Sequence, residues 1–348
     1  MPLPHRAGTT PWLVLRAPGN LRVLLWLCCC LAGCAGPPRG PEQVASRAGL
    51  AAGWVQGQGF RHRIFRNSAF ADADRPLHVY LEGDGLPFLT PTRISADPTP
   101  RNPLALRLLV RDPAPAVYLG RPCYHGEAHA AGCTPRLWTD ARYGERVVAS
   151  MAAALRRLAG RERPLVLIGY SGGGTLAMLL APRLGNTVRV VTIAGNLDVA
   201  AWTQYHRYTP LGGSLDPATQ APLPANITQL HLAGAGDRRV PPRLLAPVVA
   251  RQSNAVLVVL PGFDHTCCWE AQWPALLARR PERAKGQGPE WHLRSLLGPQ
   301  PSALGPWPPA LGARRLKQSS EAFPQTDESG GSLSQSEQRS WSWSWSWS

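Results

Sequence analysis

Lysine is almost missing from this 348-residue chain. Only Lys285 and Lys317 occur, so nearly all of the 37 basic residues are arginine. The arginines are scattered, with no run of five or six. A nucleic-acid binder concentrates its cations on one element, so the formal charge of +15 implies no nucleic-acid partner and only weak attraction to anionic membrane surfaces. Long apolar runs are also missing. The longest, residues 23–36, is 14 residues, too short to span a bilayer as a helix. No segment repeats at a solenoid or propeller period. Beyond Cys34, no two cysteines stand at Cys-x₂₋₄-Cys spacing, which argues against a zinc site, and neither metal nor cofactor is expected. What is present suffices for a core: 44% apolar and 17% charged residues exclude a wholly disordered or fibrous chain.

Residues 1–33 read as a secretory signal. Arg6, Arg16 and Arg22 form a basic start without an acid, residues 23–31 are an apolar core, and Leu31-Ala32-Gly33-Cys34 follows. That tetrad resembles the bacterial lipobox. The resemblance implies cleavage before Cys34, lipidation of its thiol, and a place in the bacterial cell envelope facing the periplasm, with the outer membrane favoured. Of the eight cysteines, Cys123, Cys133, Cys267 and Cys268 stay beyond this region. An even number in an oxidising compartment suggests disulfides. Cys123–Cys133 would close a short loop. Cys267 and Cys268 could form only a vicinal bridge, or each could pair elsewhere.

The organisation follows from composition and periodicity. Residues 34–58, rich in Pro, Gly and Ala, read as a tether. Residues 59–300 alternate strand and helix. Strands are predicted at 60–65, 77–81, 116–119, 165–169, 188–193, 230–232 and 255–260. Helices are predicted at 104–110, 142–158 (with Thr139 or Asp140 as N-cap), 173–184, 240–251 and 268–278. Such alternation implies a mostly parallel central sheet with helices on both faces. Residues 196–226 interrupt it with aromatics and polar groups and read as a small cap, in which His206 could touch substrate. Residues 301–348 are low-complexity, ending in Trp-Ser repeats, and read as a disordered tail.

The chemistry centres on Gly169-Tyr170-Ser171-Gly172-Gly173. An apolar strand precedes it and a helix with small residues follows, the context of a strand–turn–helix elbow that exposes a nucleophilic serine. A serine hydroxyl needs a base. His265, after the last predicted strand, is delivered to the strand ends. His62, His78 and His231 fall within strands, and His125 and His129 within the expected disulfide loop. A third group must orient the imidazole. Asp237, after the penultimate strand, is that candidate, and Asp198, after the strand before it, is the alternative acid. For an oxyanion, the N–H of Gly172 supplies one donor. The loop Glu82-Gly83-Asp84-Gly85 supplies the other, from Asp84 or Gly85. A carboxylate facing an oxyanion would oppose catalysis, so Asp84 should point away or meet a cationic part of a substrate.

The order Ser171, Asp237, His265 is that of α/β-hydrolases. Together with the segments 80–85 (YLEGDG), 169–173 (GYSGG), 196–203 (NLDVAAWT) and 263–269 (FDHTCCW), residues 60–280 resemble the α/β-hydrolase superfamily, and more narrowly its proteobacterial lipoprotein members. The resemblance implies the α/β-hydrolase fold and a membrane-tethered serine hydrolase. It would form an acyl-enzyme on an ester or thioester, with a small-molecule or lipid-like acyl substrate and the membrane, through Cys34, as its partners. An acyltransferase or peptidase would use the same triad, and a non-catalytic binding lipoprotein could sit on the same fold. The sequence sets no oligomeric state.

Overall fold

The structure is a computed structural model and describes residues 40–279. The expected signal, Cys34, and the low-complexity tail lie outside the described residues. So do residues 34–39 of the tether and 280–300 of the domain.

In chain order the elements are α1 (Pro41–Arg47), β1 (Ala51–Gln56), β2 (Arg61–Arg66), β3 (Leu77–Leu81), α2 (Leu104–Val110), β4 (Ala116–Leu119), α3 (Glu145–Ala159), β5 (Leu165–Tyr170), α4 (Gly172–Leu180), β6 (Thr187–Ile193), α5 (Val199–His206), β7 (Thr228–Gly234), α6 (Pro242–Ala250), β8 (Ala255–Leu260) and α7 (Trp269–Leu277). The strands form one eight-stranded sheet in the order β1-β2-β4-β3-β5-β6-β7-β8. β1 and β2 pair antiparallel, as do β2 and β4, and the remaining pairs are parallel.

Every residue of β5 is buried, as expected of a continuous apolar run at the centre of a parallel sheet covered on both faces. The pleat of β3 divides its side chains between two cores. Leu77, Val79 and Leu81 join Val148, Met151 and Leu155 of α3 and Leu176 of α4. Tyr80 joins Leu106 and Leu109 of α2 and Trp269 and Trp273 of α7 on the other face. The parallel pairing places the carboxyl ends of β3 to β8 at one edge, where ligands of open α/β sheets bind.

Three expectations are corrected. From Gly40 onward the expected tether is part of the domain: α1 buries Val44 and Ala45, and β1 pairs along its length with β2. Pro41 stands at the start of its helix, where a missing N–H costs nothing, so the Pro/Gly/Ala composition did not preclude order. The expected cap is an ordered crossover from β6 to β7. It contains α5 and a 3₁₀ turn at Pro217–Thr219. Asp216 fastens the two by accepting the N–H groups of Val199 and Ala200 at 3.0 and 2.9 Å. Finally, α3 starts at Glu145, after Gly144, rather than at Arg142. Residues 139–144 turn toward the site instead.

Candidate active site

The elbow stands between β5 and α4. Ser171 has φ 51° and ψ −120°, a conformation that costs a non-glycine residue on the order of 1–3 kcal/mol. The surroundings hold it there. Its N–H donates to Ile193 O at 2.9 Å, and its carbonyl accepts from Gly174 and Asn196 N–H at 2.9 and 3.1 Å. The turn also needs glycine beside it. A Cβ on Gly169 would stand 2.2 Å from Gly173 O, and one on Gly173 would stand 2.1 Å from Leu81 O.

The structure brings Ser171, His265 and Asp237 together. His265 Nε2 lies 3.1 Å from Ser171 Oγ, and Nδ1 lies 2.9 Å from Asp237 Oδ2. Asp237 is buried, and its other oxygen accepts the N–H groups of Arg239 and Val240 at 2.8 and 2.9 Å. The imidazole is also packed. The Tyr170 ring lies 5.2 Å from it between centroids, and the Trp269 indole N–H is shared by the carbonyls of Asp264 and His265. Asp264 turns to Thr266 and Cys267 N–H, which hold its carboxyl below the usual range. Asp198, the alternative acid, caps α5 by accepting from Ala201 N–H at 2.8 Å.

Gly172 opens α4, where the first N–H groups have no partner within the helix. Gly83 lies directly against the nucleophile: a Cβ there would be 3.4 Å from Ser171 Cβ. Asp84 follows it, and a Cβ on Gly172 would fall 2.0 Å from Asp84 Oδ1. Gly85 instead faces Pro98 and Pro100. The Asp84 carboxylate accepts from Arg121 Nη2 (2.9 Å), Arg142 Nη1 (2.9 Å) and the Tyr143 hydroxyl (2.7 Å). Burial opposes its ionisation, yet the two guanidiniums and the hydroxyl hold it below the ordinary carboxylate value. Glu82 behaves oppositely. Burial pushes it up to about 7, against the N–H groups of Gly83 and Ala105 that it accepts.

His206 does not stand free. Its Nε2 donates to Arg239 O at 2.7 Å and its ring stacks on Tyr208. The Trp202 indole donates to the same carbonyl. His62 and His231 are buried, and His125 is half-buried. Cys123 is bonded to Cys133, and Cys267 to Cys268. Sequence reasoning missed Arg121, Arg142 and Tyr143. The one available signal was the place of Arg121, just past the carboxyl end of a strand.

No family model matches the chain, and no curated protein does. Among solved structures, it is similar to puromycin hydrolase (TM-score 0.48, 17% identity), over 66% of this chain and 37% of that one. It is similar to a putative hydrolase from Agrobacterium vitis (TM-score 0.46, 15% identity), over 66% of this chain and 98% of that one. It is also similar to a bacterial membrane phospholipase A (TM-score 0.43, 14% identity), over 74% of this chain and 96% of that one. The described part therefore spans little more than a third of puromycin hydrolase. The strand order, the serine elbow after β5, the acid after β7 and the histidine after β8 together give this chain the α/β-hydrolase fold.

Proposed function

We propose that the protein is a serine hydrolase that forms an acyl-enzyme on an ester or thioester, held at the envelope membrane by lipid on Cys34 and facing the periplasm. The observation that carries this reading is the unbroken relay from Asp237 through His265 to Ser171, at 2.9 and 3.1 Å.

His265 Nε2 takes the Ser171 proton as Oγ bonds to the substrate carbonyl carbon, and the carbonyl π pair moves onto oxygen. We assign the N–H groups of Gly172 and Asp84 as the donors to that oxyanion. Its collapse expels the alcohol or thiol, which leaves with the proton from His265. Water then attacks the acyl carbon, giving its proton to His265. The second collapse releases the acid, and His265 returns the proton to Ser171. Asp237 keeps Nδ1 protonated and stabilises the imidazolium without taking its proton.

The test is labelling of the purified protein with a fluorophosphonate, beside Ser171→Ala. Labelling of the wild type alone supports the reading and opens a screen of ester and thioester substrates. A folded wild type that stays unlabelled overturns it and promotes the binding-lipoprotein reading.

A further inference from the structure

Two buried arginines serve one carboxylate at the edge of the elbow, and the elements that deliver them are far apart in sequence. Arg121 follows β4, while Arg142 and Tyr143 precede α3. Arg121 and Arg142 are 3% and 6% exposed. Burying two guanidiniums is costly unless each is paired, and among the described residues Asp84 is the only carboxylate bonded to either. The cluster therefore keeps one uncompensated positive charge. Arg121 Nε and Nη1 are buried without a hydrogen-bond partner among the described residues, between the rings of Tyr124 and Tyr143.

The cluster also immobilises the peptide that matters. The Asp84 carbonyl accepts from the Tyr124 hydroxyl at 2.9 Å, and the Glu82 carbonyl accepts from Arg121 at 3.3 Å. Both carboxylate oxygens of Asp84 are taken. Every acceptor of Asp84 is thus engaged, and its N–H has no partner among the described residues. The same carboxylate abuts Gly172, whose added Cβ would meet Asp84 Oδ1 at 2.0 Å and the Tyr143 hydroxyl at 2.4 Å.

Resting on the hydrolase reading above, we infer that Arg121, Arg142 and Tyr143 are positioning residues for the oxyanion hole. They clamp Asp84 so that its N–H and that of Gly172 converge, and they turn a local negative charge into a net positive field at the oxygen. Preorganised donors and fixed charge of this kind act on the transition state rather than on the bound substrate. Asp84 alone would repel an oxyanion, and the pair of arginines reverses that sign.

The experiment measures the second-order rate of fluorophosphonate labelling of the purified protein, with the labelled fraction at completion as a separate readout. Arg142→Gln is expected to label to completion but about 10- to 100-fold more slowly. Arg142→Lys keeps the charge and should recover most of that loss. Tyr143→Phe removes only the hydroxyl and should slow labelling less than Arg142→Gln. It serves if Arg142→Gln fails to fold. The shape of the pH profile, set by His265, should not move. A rate equal to wild type in Arg142→Gln, or in Tyr143→Phe where Arg142→Gln does not fold, overturns the inference and leaves the hydrolase reading intact. So does a loss confined to the labelled fraction, which marks a structural role only. An Arg142→Lys variant as slow as Arg142→Gln overturns the field and the clamp together. An unlabelled wild type overturns the hydrolase reading itself.

Discussion

Asp237 divides its carboxylate between two tasks: Oδ2 meets His265 Nδ1 at 2.9 Å, while Oδ1 accepts Arg239 and Val240 N–H. The backbone bonds fix the carboxylate and leave one oxygen free to hold the imidazole. Asp237→Asn can keep the backbone contacts through its amide oxygen, but the NH₂ would then face Nδ1 and favour the wrong tautomer. The expected result is a folded protein whose labelling rate falls by about 10⁴-fold, as in triads of this kind. Rate and circular dichroism measured on the same sample check it. A loss under tenfold would mean that another group orients His265.

The elbow gives a second prediction. A methyl on Gly173 would enter the space of the Leu81 and Glu82 carbonyls, at 2.1 and 2.8 Å. Backbone cannot retreat as a flexible side chain can. Gly173→Ala should destabilise the protein by about 3 kcal/mol, the upper range for overpacking, and should also slow labelling because α4 carries Gly172. The urea midpoint, with unchanged slope, reads the stability. An unchanged midpoint would mean that α4 shifts from β3 to admit the methyl without cost.

How far the sequence foretold this site depends on whether a residue acts locally or at a distance. Ser171 sits in a five-residue pattern between a strand and a helix, and Asp237 and His265 follow the last two strands, so chain order alone pairs them. Arg121, Arg142 and Tyr143 stand 37, 58 and 59 residues from Asp84. No periodicity links such positions, because the sheet order brings them together. Arg142 was further concealed by its neighbours, whose apolar spacing extends the α3 pattern backward past Gly144. β1 was concealed by composition. Its residues are mostly exposed, so its place comes from backbone pairing with β2 and from Trp54, which stacks under Arg61 and Arg63, rather than from an apolar run.

Two buried histidines, His62 and His231, and the half-buried His125 set the acid limit of stability. Burial pushes His62 and His125 down to about 4 and His231 to about 3, from 6.5. A depressed value means that the folded state binds fewer protons than the unfolded chain. The stabilisation is therefore complete above 6.5 and is lost as pH falls toward 4. Tm should fall steeply across that window. His62 donates from Nδ1 to Gly120 O at 2.9 Å, and its Nε2 accepts from the Ser150 hydroxyl. His62→Gln should lower Tm at pH 8 but shrink the further drop between pH 6.5 and 4. An equally steep drop in the variant would remove His62 from this account.

Glu82 has the opposite sign. Burial raises it to about 7 from 4.5, so the folded state holds a proton that the unfolded chain has released. Its contribution is complete below 4.5 and is lost as pH rises through 7. At pH 8 the carboxylate is charged within the core beside α2, with Gly83 and Ala105 N–H as its donors. Glu82→Gln removes the titration but presents an NH₂ to one of those donors, so at pH 5 the variant should be the less stable. By pH 8 the wild type alone bears the cost of a buried charge, and the Tm difference between variant and wild type should move in favour of the variant. The shift corresponds to roughly 3 kcal/mol for a raised value of this size. Thermal melts of both proteins at pH 5, 6.5 and 8 give the comparison directly. A Tm difference that stays constant with pH would mean that Glu82 keeps an ordinary carboxylate value, and that the N–H groups of Gly83 and Ala105 fully offset its burial.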